Sequence, residues 1–220
     1  MVKIENLVKE YSGRRVIDIK NLNVNDGEIL AVAGANGSGK TTLLRITSGL
    51  MKADSGFVEA QGKILFMPQQ SYAFRGSLKD NLLIGLNGKD KKGEVEEILE
   101  SMELKHLSDK KAVSLSGGEL QRLALCRLLI RPCSLLLLDE PTSSCDARGT
   151  ELVVDAVKKY VEKHGCTVIM ATHSPIVAAK CADRMIILND GGIEADGEPG
   201  EVMNDPSSEW AKSFIKDWRT

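Results

Sequence analysis

The chain has 220 residues, of which 42% are hydrophobic and 27% are charged, a composition typical of one large folded domain or two small ones. The 29 Lys and Arg residues nearly balance the 31 Asp and Glu residues, and aromatic residues make up only 4%. This charge balance and the scarcity of base-stacking side chains argue against a protein that binds nucleic acid.

Antiparallel strands are predicted at the start of the chain. Residues 2–8 alternate between apolar and polar side chains, which is typical of a strand with one buried face, and they lack the apolar segment of a signal peptide. A turn at residues 13–15 leads to a second strand over residues 16–19. Residues 25–27 (Asn-Asp-Gly) predict a hairpin turn, because Asp-Gly tolerates positive φ.

A phosphate-binding loop is predicted next. Residues 29–33 are an apolar run, typical of a strand buried on both faces, and residues 34–41 fit the pattern Gly-x-x-x-x-Gly-Lys-Ser/Thr. Glycines let backbone N–H groups approach phosphate oxygens, and the helix predicted over residues 41–48 points its positive end at the same anion. Lys40 would reach the β- and γ-phosphates, and Thr41 would ligate Mg²⁺. A flexible glycine turn is the alternative.

A small helical segment is predicted in the middle of the chain. From residue 77 to residue 107 the pattern is helical, with apolar residues at helical spacing between positions 95 and 102. Residues 89–93 are charged and flanked by glycine, which predicts a surface loop. This segment separates two parts of an α/β core.

A second part of the site is predicted at residues 135–140 (Leu-Leu-Leu-Leu-Asp-Glu). The apolar run predicts a buried strand whose carboxyl end carries Asp139 and Glu140, and α/β sheets bind ligands at that end. Asp139 would hold Mg²⁺ directly or through water, and Glu140 would deprotonate an attacking water. Such a run alone is usually a core strand that leaves the sheet. Together with residues 34–41 it predicts a nucleotide hydrolase.

The α/β pattern continues to the end of the chain. Residues 152–161 carry a helical apolar stripe, and residues 167–170 and 185–188 predict two further strands. Trp210, Phe214 and Trp218 recur at helical spacing, so we expect this face to pack on the core, with partner binding as the alternative.

The sequence favours neither a membrane-spanning protein nor a protein stabilised by disulfides. The densest apolar region, residues 123–138, is interrupted by Arg127, Arg131 and Pro132, so it does not predict a membrane helix. The five cysteines are an odd number, are spread along the chain and form no Cys-x-x-Cys pair. We therefore expect reduced cysteines in the cytosol rather than a disulfide framework or a zinc site.

Residues 115–122 (Leu-Ser-Gly-Gly-Glu-Leu-Gln-Arg) resemble the LSGGQ signature motif of ATP-binding cassette (ABC) ATPases, with Glu119 in place of the usual Gln. Ser116 and Glu119 also fit a capping box, and a helix cap alone is the alternative interpretation. Two glycines in the first helical turn destabilise a helix. They therefore suit a backbone that approaches phosphate, and in this family the motif completes the ATP site of the opposite subunit.

The other motifs of the family follow in the expected order over nearly the whole chain. Tyr11 resembles the aromatic residue that stacks on adenine, although a tyrosine at a strand edge is the alternative. Gln69 resembles the glutamine that senses Mg²⁺ and links the site to the helical subdomain. A slip of one residue would give this role to Gln70.

Two further motifs lie in the second half of the chain. Residues 141–146 resemble the D-loop, which ends in Asp146, and Cys145 stands where the family commonly has an aliphatic residue. His173 follows a predicted strand and resembles the switch histidine that contacts the γ-phosphate. The retained Glu140 and His173 argue against a cassette that binds ATP without hydrolysing it.

The resemblance implies an α/β fold, namely the P-loop NTPase core of an ABC ATPase with an N-terminal antiparallel β region and a small helical subdomain. The single domain, residues 1–220, would comprise a core (1–69 and 132–220) and a helical subdomain (about 70–131). Two such cassettes would bind two ATP molecules, with Mg²⁺, head to tail as a homodimer.

The resemblance also implies a set of site residues. The expected nucleotide-binding residues are Tyr11, Gly34, Asn36, Gly37, Ser38, Gly39, Lys40, Thr41 and Thr42. Those expected to act from the opposite subunit are Ser116, Gly117, Gly118 and Asp146. The expected catalytic residues are Glu140, His173 and Gln69, and the expected metal ligands are Thr41, Gln69 and Asp139.

The expected function is that of an ATP-hydrolysing subunit in the cytoplasm, bound to a membrane-embedded permease at the inner face of the membrane. Docking would use a groove near residues 69–85, where Tyr72, Phe74 and Leu78 either line the groove or pack inside the helical subdomain. The expected partners are the permease and a second cassette, and not a nucleic acid.

The sequence also gives expectations for the direction of transport and for the solute. Short spacings between the motifs, and the lack of an exporter-type Glu-Arg-Gly sequence, favour import, although residues 62–69 also resemble exporter cassettes. In its compact size and in the sequence of residues 197–202, the chain resembles cassettes that serve transporters of tungstate, molybdate or metal ions. The alternatives are an exporter ATPase, a soluble ABC ATPase of an assembly process such as iron–sulfur cluster assembly, and a regulatory nucleotide sensor.

Overall fold

Two β-sheets frame the fold in the computed structural model, which describes residues 1–84, 86 and 92–217. The smaller sheet contains β1 (Val2–Tyr11), β2 (Arg14–Val24) and β4 (Ser55–Ala60). The larger contains β3 (Ile29–Ala33), β5 (Ile64–Met67), β6 (Leu135–Asp139), β7 (Thr167–Thr172), β8 (Arg184–Asn189) and β9 (Gly192–Gly197). Within the described residues their orders are β2-β1-β4, antiparallel, and β5-β6-β7-β3-β8-β9, parallel except for β9.

The hairpin expected at residues 25–27 is wrong. Gly27 does adopt a positive φ of 73°, as the Asp-Gly sequence indicates. However, β2 pairs with β1, whereas β3 lies between β7 and β8 in the other sheet. All five residues of β3 are buried, and a strand covered on both faces belongs at the centre of a parallel sheet. The turn therefore connects the two sheets.

The parallel register brings three strand ends to one edge. Ala33 of β3 pairs with Thr172 of β7, and Asp139 of β6 pairs with Ala171 of β7. The segments that follow β3, β6 and β7 therefore emerge side by side. This edge is where sheets of this type bind ligands.

Helices cover both faces of the larger sheet. They are α1 (Lys40–Thr47), α2 (Leu78–Leu83), α3 (Lys92–Ser101), α4 (Gly117–Leu129), α5 (Ala147–His164), α6 (Pro175–Cys181), α7 (Pro199–Asn204) and α8 (Glu209–Lys216). Over the described part of residues 77–107, the expected helical character is confirmed by α2, α3 and a short 3₁₀ turn, Lys105–Leu107. In the predicted loop, positions 89–91 lie outside the described residues, and Gly93 belongs to α3. Among the helices described, none has the length and apolarity to cross a bilayer.

One hydrophobic cluster joins the middle segment to the sheet. Leu78, Leu82 and Leu99 are buried in the same cluster as Leu136 and Leu138 of β6. Leu78 is fully buried, so of its two expected places the structure supports packing inside this segment rather than lining a docking groove. The division into a core and a helical subdomain stays a prediction.

The last helix packs on the same face of the sheet as the middle segment, in a separate hydrophobic cluster over β3, β8 and β9. Ala211 and Ile215 of α8 are buried, and the rings of Trp210 and Phe214 stack with centroids 5.3 Å apart against the same cluster. The expected packing of this face is confirmed for both aromatic residues, whereas Trp218 lies outside the described residues.

Candidate functional site

The glycine loop, residues 34–39, is closely packed against two neighbouring segments. Gly34 has a φ of 156°, and a Cβ there would lie 2.3 Å from the Leu188 carbonyl oxygen. Gly39 has a φ of 109°, and a Cβ there would lie 2.4 Å from the Val16 carbonyl oxygen. A larger residue at either position would clash with backbone, and L-residues rarely adopt these angles. The loop between β3 and α1 is therefore held in one shape by β2 and β8.

Lys40 is the first residue of α1, and its side chain turns back into the glycine loop. The residue is 6% exposed. Nζ donates to the carbonyl oxygens of Gly34 (2.8 Å) and Ala35 (3.0 Å), and it lies 3.8 Å from Oε1 of Glu140. Burial lowers the pKa of Lys40, and the charges of Glu140 and Asp139 oppose this shift. The ammonium group is thus desolvated inside a loop whose N–H groups suit an anion.

Thr41 and Asp139 place two oxygen atoms together at the start of α1. The Thr41 hydroxyl donates to Oδ1 of Asp139 at 3.0 Å. Burial raises the pKa of Asp139, and this hydrogen bond opposes the shift. Hydroxyl and carboxylate oxygens are ligands of the kind that Mg²⁺ prefers. Nearby, Oγ of Ser38 is buried and has no hydrogen-bond partner among the described residues, so this polar atom is available to a ligand of the loop.

Glu140 and His173 are in direct contact. Nδ1 of His173 lies 2.7 Å from Oε2 of Glu140, which is hydrogen-bond distance. Glu140 is 4% exposed, whereas the His173 side chain is 43% exposed. Glu140 also has a positive φ of 53°, which is uncommon for a residue other than glycine and is frequent at functional sites.

Gln121 of α4 is a site residue that sequence reasoning missed. Its Nε2 donates to the backbone oxygen of Glu140 at 2.7 Å and to the Ser143 hydroxyl at 3.1 Å. Its Oε1 accepts from the backbone N–H of Ser144 at 2.7 Å. This buried amide therefore fixes the segment that follows β6. The available signal was a polar side chain inside the apolar face of α4, which periodicity alone does not interpret.

The motif at the start of α4 forms the expected capping box. The Ser116 hydroxyl accepts from Glu119 N–H at 3.3 Å, and Oε2 of Glu119 accepts from Ser116 N–H at 2.7 Å. This second bond lowers the pKa of Glu119. A Cβ at Gly118 would lie 3.0 Å from the Ser144 carbonyl oxygen, so close packing within the chain already accounts for one of the two glycines. At Gly117 a Cβ would make only ordinary contacts.

The remaining predicted residues lie around this centre. Gln69 and Gln70 are exposed and border a cleft of about 390 Å³ with Gly117 and Ser144. Asp146 caps α5 by accepting from the N–H of Gly149 at 2.7 Å. Cys145, where the sequence departs from the family pattern, packs at the edge of the core cluster.

Tyr11 is 45% exposed at the end of β1, and its hydroxyl donates to Sδ of Met51 at 3.0 Å. The structure connects one group of predicted residues by pairwise contacts, Thr41 with Asp139, Lys40 with Glu140, and His173 with Glu140. Within the described part of the chain, Tyr11, Gln69, Ser116 and Asp146 make no side-chain hydrogen bond to that group.

Comparison with known proteins places these residues in context. A family model described as ABC transporter matches residues 17–143. The spermidine/putrescine import ATP-binding protein PotA of Spiroplasma citri is 36% identical and aligns with 99% of this chain and 67% of its own length. The sulfate/thiosulfate import ATP-binding protein CysA of Pseudomonas aeruginosa is 34% identical over 98% of this chain and 72% of its own length. The chain thus spans about two thirds of the length of the curated relatives it matches.

Solved structures are similar over most of the chain. The ADP conformation of MJ1267, an ATP-binding cassette of an ABC transporter, has a TM-score of 0.80 at 26% identity and covers 97% of this chain and 98% of its own. The ATP-binding cassette MJ0796, solved as a dimer bound to ADP and Pi in a post-hydrolysis state, has a TM-score of 0.79 at 30% identity. It covers 90% of this chain and 99% of its own.

Proposed function

Because the chain belongs to the ABC transporter family of ATPases, we propose that it is the ATP-hydrolysing subunit that powers import of a small solute through a separate membrane subunit. The observation that carries this proposal is the series of contacts that gathers Lys40, Thr41, Asp139, Glu140 and His173 at the carboxyl edge of the sheet. This set supplies a phosphate-binding charge, two metal-ligating oxygens and a carboxylate for proton transfer.

The glycine loop and Lys40 bind the triphosphate. Backbone N–H groups of residues 34–39 and the amino end of α1 face the phosphate oxygens, and Lys40 exchanges its bonds to two loop carbonyls for bonds to phosphate. Thr41 and Asp139 would hold Mg²⁺, which when bound neutralises charge on the phosphate oxygens. Thr42, Asn36 and the unpartnered Ser38 hydroxyl complete the loop's contacts, and Tyr11 stacks on adenine.

Glu140 and His173 act on the attacking water. The oxygen of the water attacks the γ-phosphorus, and ADP leaves. A carboxylate oxygen of Glu140 accepts the proton that the water loses. His173, which is much more exposed than Glu140, turns from Glu140 towards the γ-phosphate and stabilises the charge there. Gln69 would also contact Mg²⁺ and would connect the site to the helical segment.

A second cassette completes the site. Ser116 and Gly117 are exposed at the start of α4, where the Ser116 hydroxyl and the Gly117 N–H face the nucleotide of a partner copy. Gly118 and Asp146 lie beside them. The dimeric state of the MJ0796 relative supports this arrangement. The homodimer would form in the ATP-bound state, head to tail.

Import is the part of the proposal that the named relatives share. One relative is named for spermidine and putrescine, which are cations, and another for sulfate and thiosulfate, which are anions. They therefore support import without selecting a solute, and tungstate, molybdate and metal ions stay proposals. The chain would act at the cytoplasmic face of the membrane, since its partner is a permease.

The composite site predicts a loss of dimerisation when Ser116 is replaced by Arg. With Glu140→Gln as background, Mg-ATP should shift the protein from monomer to dimer in sedimentation velocity. Adding Ser116→Arg should abolish this shift because a long cation fills the space of the partner's phosphate, while ATP binding by the monomer persists.

Two variants control this experiment. Ser116→Ala removes the hydroxyl, and with it the helix cap, but adds neither bulk nor charge; the loss of the cap costs about 1 kcal/mol of folding stability. Ser55→Arg adds the same side chain at an exposed position of β4. Both should still dimerise in the Glu140→Gln background. A Ser116→Arg protein that dimerises with ATP contradicts the composite site.

The transport role predicts a membrane partner. Affinity-tagged chain, expressed in its native host and purified from detergent-solubilised membranes, should bring down a subunit with several membrane-spanning helices. The variant Tyr72→Glu, at an exposed aromatic in the proposed docking groove, should reduce this recovery. Recovery of the chain only in soluble complexes contradicts the transport role and leaves the ATPase assignment intact.

A further inference from the structure

Two cysteines that are far apart in sequence touch in the fold. Cys133 and Cys166 are separated by 33 positions, and their Sγ atoms lie 3.3 Å apart. Each precedes a strand, and these strands, β6 and β7, are neighbours with Leu135 paired to Thr167. The sequence showed five scattered cysteines, but the parallel pairing of two strands brings these two side by side.

The two thiols have different surroundings. Cys166 is 1% exposed, whereas Cys133 is only partly buried. Cys133 Sγ lies 3.4 Å from the hydroxyl of Tyr160, which itself donates to the Arg131 carbonyl oxygen at 2.6 Å. The contact with the Cys166 thiol lowers the pKa of Cys133 to about 7 against the opposing effect of burial, and the Tyr160 hydroxyl and the positive charge of Lys63 act in the same direction as Cys166. The same contact raises the pKa of Cys166. One thiol is therefore a nucleophile near neutral pH and its neighbour is protonated.

We propose that Cys133 and Cys166 form a redox-active dithiol that hydrogen peroxide converts to an intramolecular disulfide. The Cys133 thiolate attacks peroxide, which breaks the O–O bond, forms the sulfenic acid and releases hydroxide. The Cys166 sulfur then displaces the sulfenic oxygen, the S–S bond forms and water leaves with the thiol proton. Two thiols and one peroxide give one disulfide and two waters. A dithiol reductant reverses the change.

The other cysteines do not share this arrangement. Cys126 and Cys181 are buried, and burial raises their pKa values to about 12 and about 11. Cys145 is partly buried like Cys133, but burial raises its pKa as well. Among the described residues no other pair of cysteine sulfurs is in contact. Oxidation should therefore be selective for one pair.

The disulfide would close a loop that contains Asp139, Glu140 and Asp146, together with all of α5. The glycine loop and His173 lie outside it. Cross-linking a loop of this length restricts the unfolded chain, so Tm should rise by roughly 5–10 °C on oxidation. The disulfide would thus cross-link the two ends of the segment that carries the carboxylates of the site, Asp139 and Glu140.

The test uses the full-length protein at neutral pH. After peroxide treatment, alkylation and digestion without reductant, mass spectrometry should find a peptide pair linked by Cys133 and Cys166, which dithiothreitol separates. Dimedone should label Cys133 in Cys166→Ser and label nothing in Cys133→Ser. The control variant Cys145→Ser should behave like the unmodified sequence.

Two results would overturn the proposal. One is the absence of the linked pair at a peroxide dose that oxidises the exposed Met1 to its sulfoxide. The other, which needs no variant, comes from iodoacetamide labelling of the unmodified protein. Cys133 should react at least about tenfold faster than Cys145 at neutral pH, and equal rates contradict its role as the nucleophile.

Discussion

Replacing Glu140 with Gln is expected to lower the rate of ATP hydrolysis by about 10²- to 10⁴-fold, the usual contribution of a general base. The change removes the proton acceptor but keeps the shape of the side chain. The backbone of residue 140 should not move, because its two hydrogen bonds do not involve the carboxylate. Its N–H donates to the Ala171 carbonyl oxygen, and its carbonyl oxygen accepts from the Gln121 side chain. Phosphate release at saturating Mg-ATP measures the loss.

The matched control is Glu209→Gln, at an exposed position of α8 where Glu209 forms an ion pair with the nearby Lys212. It should hydrolyse ATP at the normal rate. Nucleotide affinity of Glu140→Gln, measured by titration calorimetry, should equal or exceed that of the unmodified protein, because one negative charge near the phosphates is gone. Undiminished turnover in Glu140→Gln would assign the proton acceptor to another group.

Replacing Lys40 with Met should weaken ATP binding by about 10- to 100-fold. A buried hydrogen bond to a charged group contributes roughly 1.5–3 kcal/mol, and Lys40 is placed to make such bonds to phosphate. Folding stability should be unchanged or slightly higher without ATP. The reason is that burial already disfavours the ammonium group, as its lowered pKa indicates, and Met fills a similar volume. The rise in Tm that ATP produces measures the loss of binding.

Lys20→Met serves as the control, since it removes a lysine from an exposed position of β2. It should keep the full rise in Tm with ATP. If Lys40→Met binds ATP normally, the triphosphate lies elsewhere. A large fall in Tm without ATP would instead mean that the bonds from Lys40 to Gly34 and Ala35 hold the loop together.

The residues that a sequence can place are those set by local pattern. The glycine spacing before Lys40 specifies a turn between a strand and a helix, and the apolar run before Asp139 specifies a buried strand with a polar end. Both elements have the expected form in the structure. The family resemblance added His173, whose order in the chain and position after a strand agree with its contact to Glu140. The roles of these residues stay predictions until they are measured.

What the sequence could not place depends on contacts between distant segments. The turn at residues 25–27 has the right local conformation, but local conformation does not determine which sheet the next strand joins. Gln121 and the pair Cys133–Cys166 have meaning only when α4, β6 and β7 are assembled. Leu78 was ambiguous for the same reason, because its burial depends on how α2 packs against the rest of the core.

The amide of Gln121 has a mechanical consequence. It connects α4, whose amino end carries Ser116, to the backbone of Glu140 and of Ser144. These hydrogen bonds link the movements of the two segments. If the amino end of α4 shifts, either the Glu140 peptide shifts with it or the short, buried hydrogen bonds of Gln121 break. In a pair of cassettes, each subunit would then have a lever that transmits the presence of its neighbour's nucleotide to its own carboxylate. With one such connection in each subunit, ATP hydrolysis at the two sites would be synchronised.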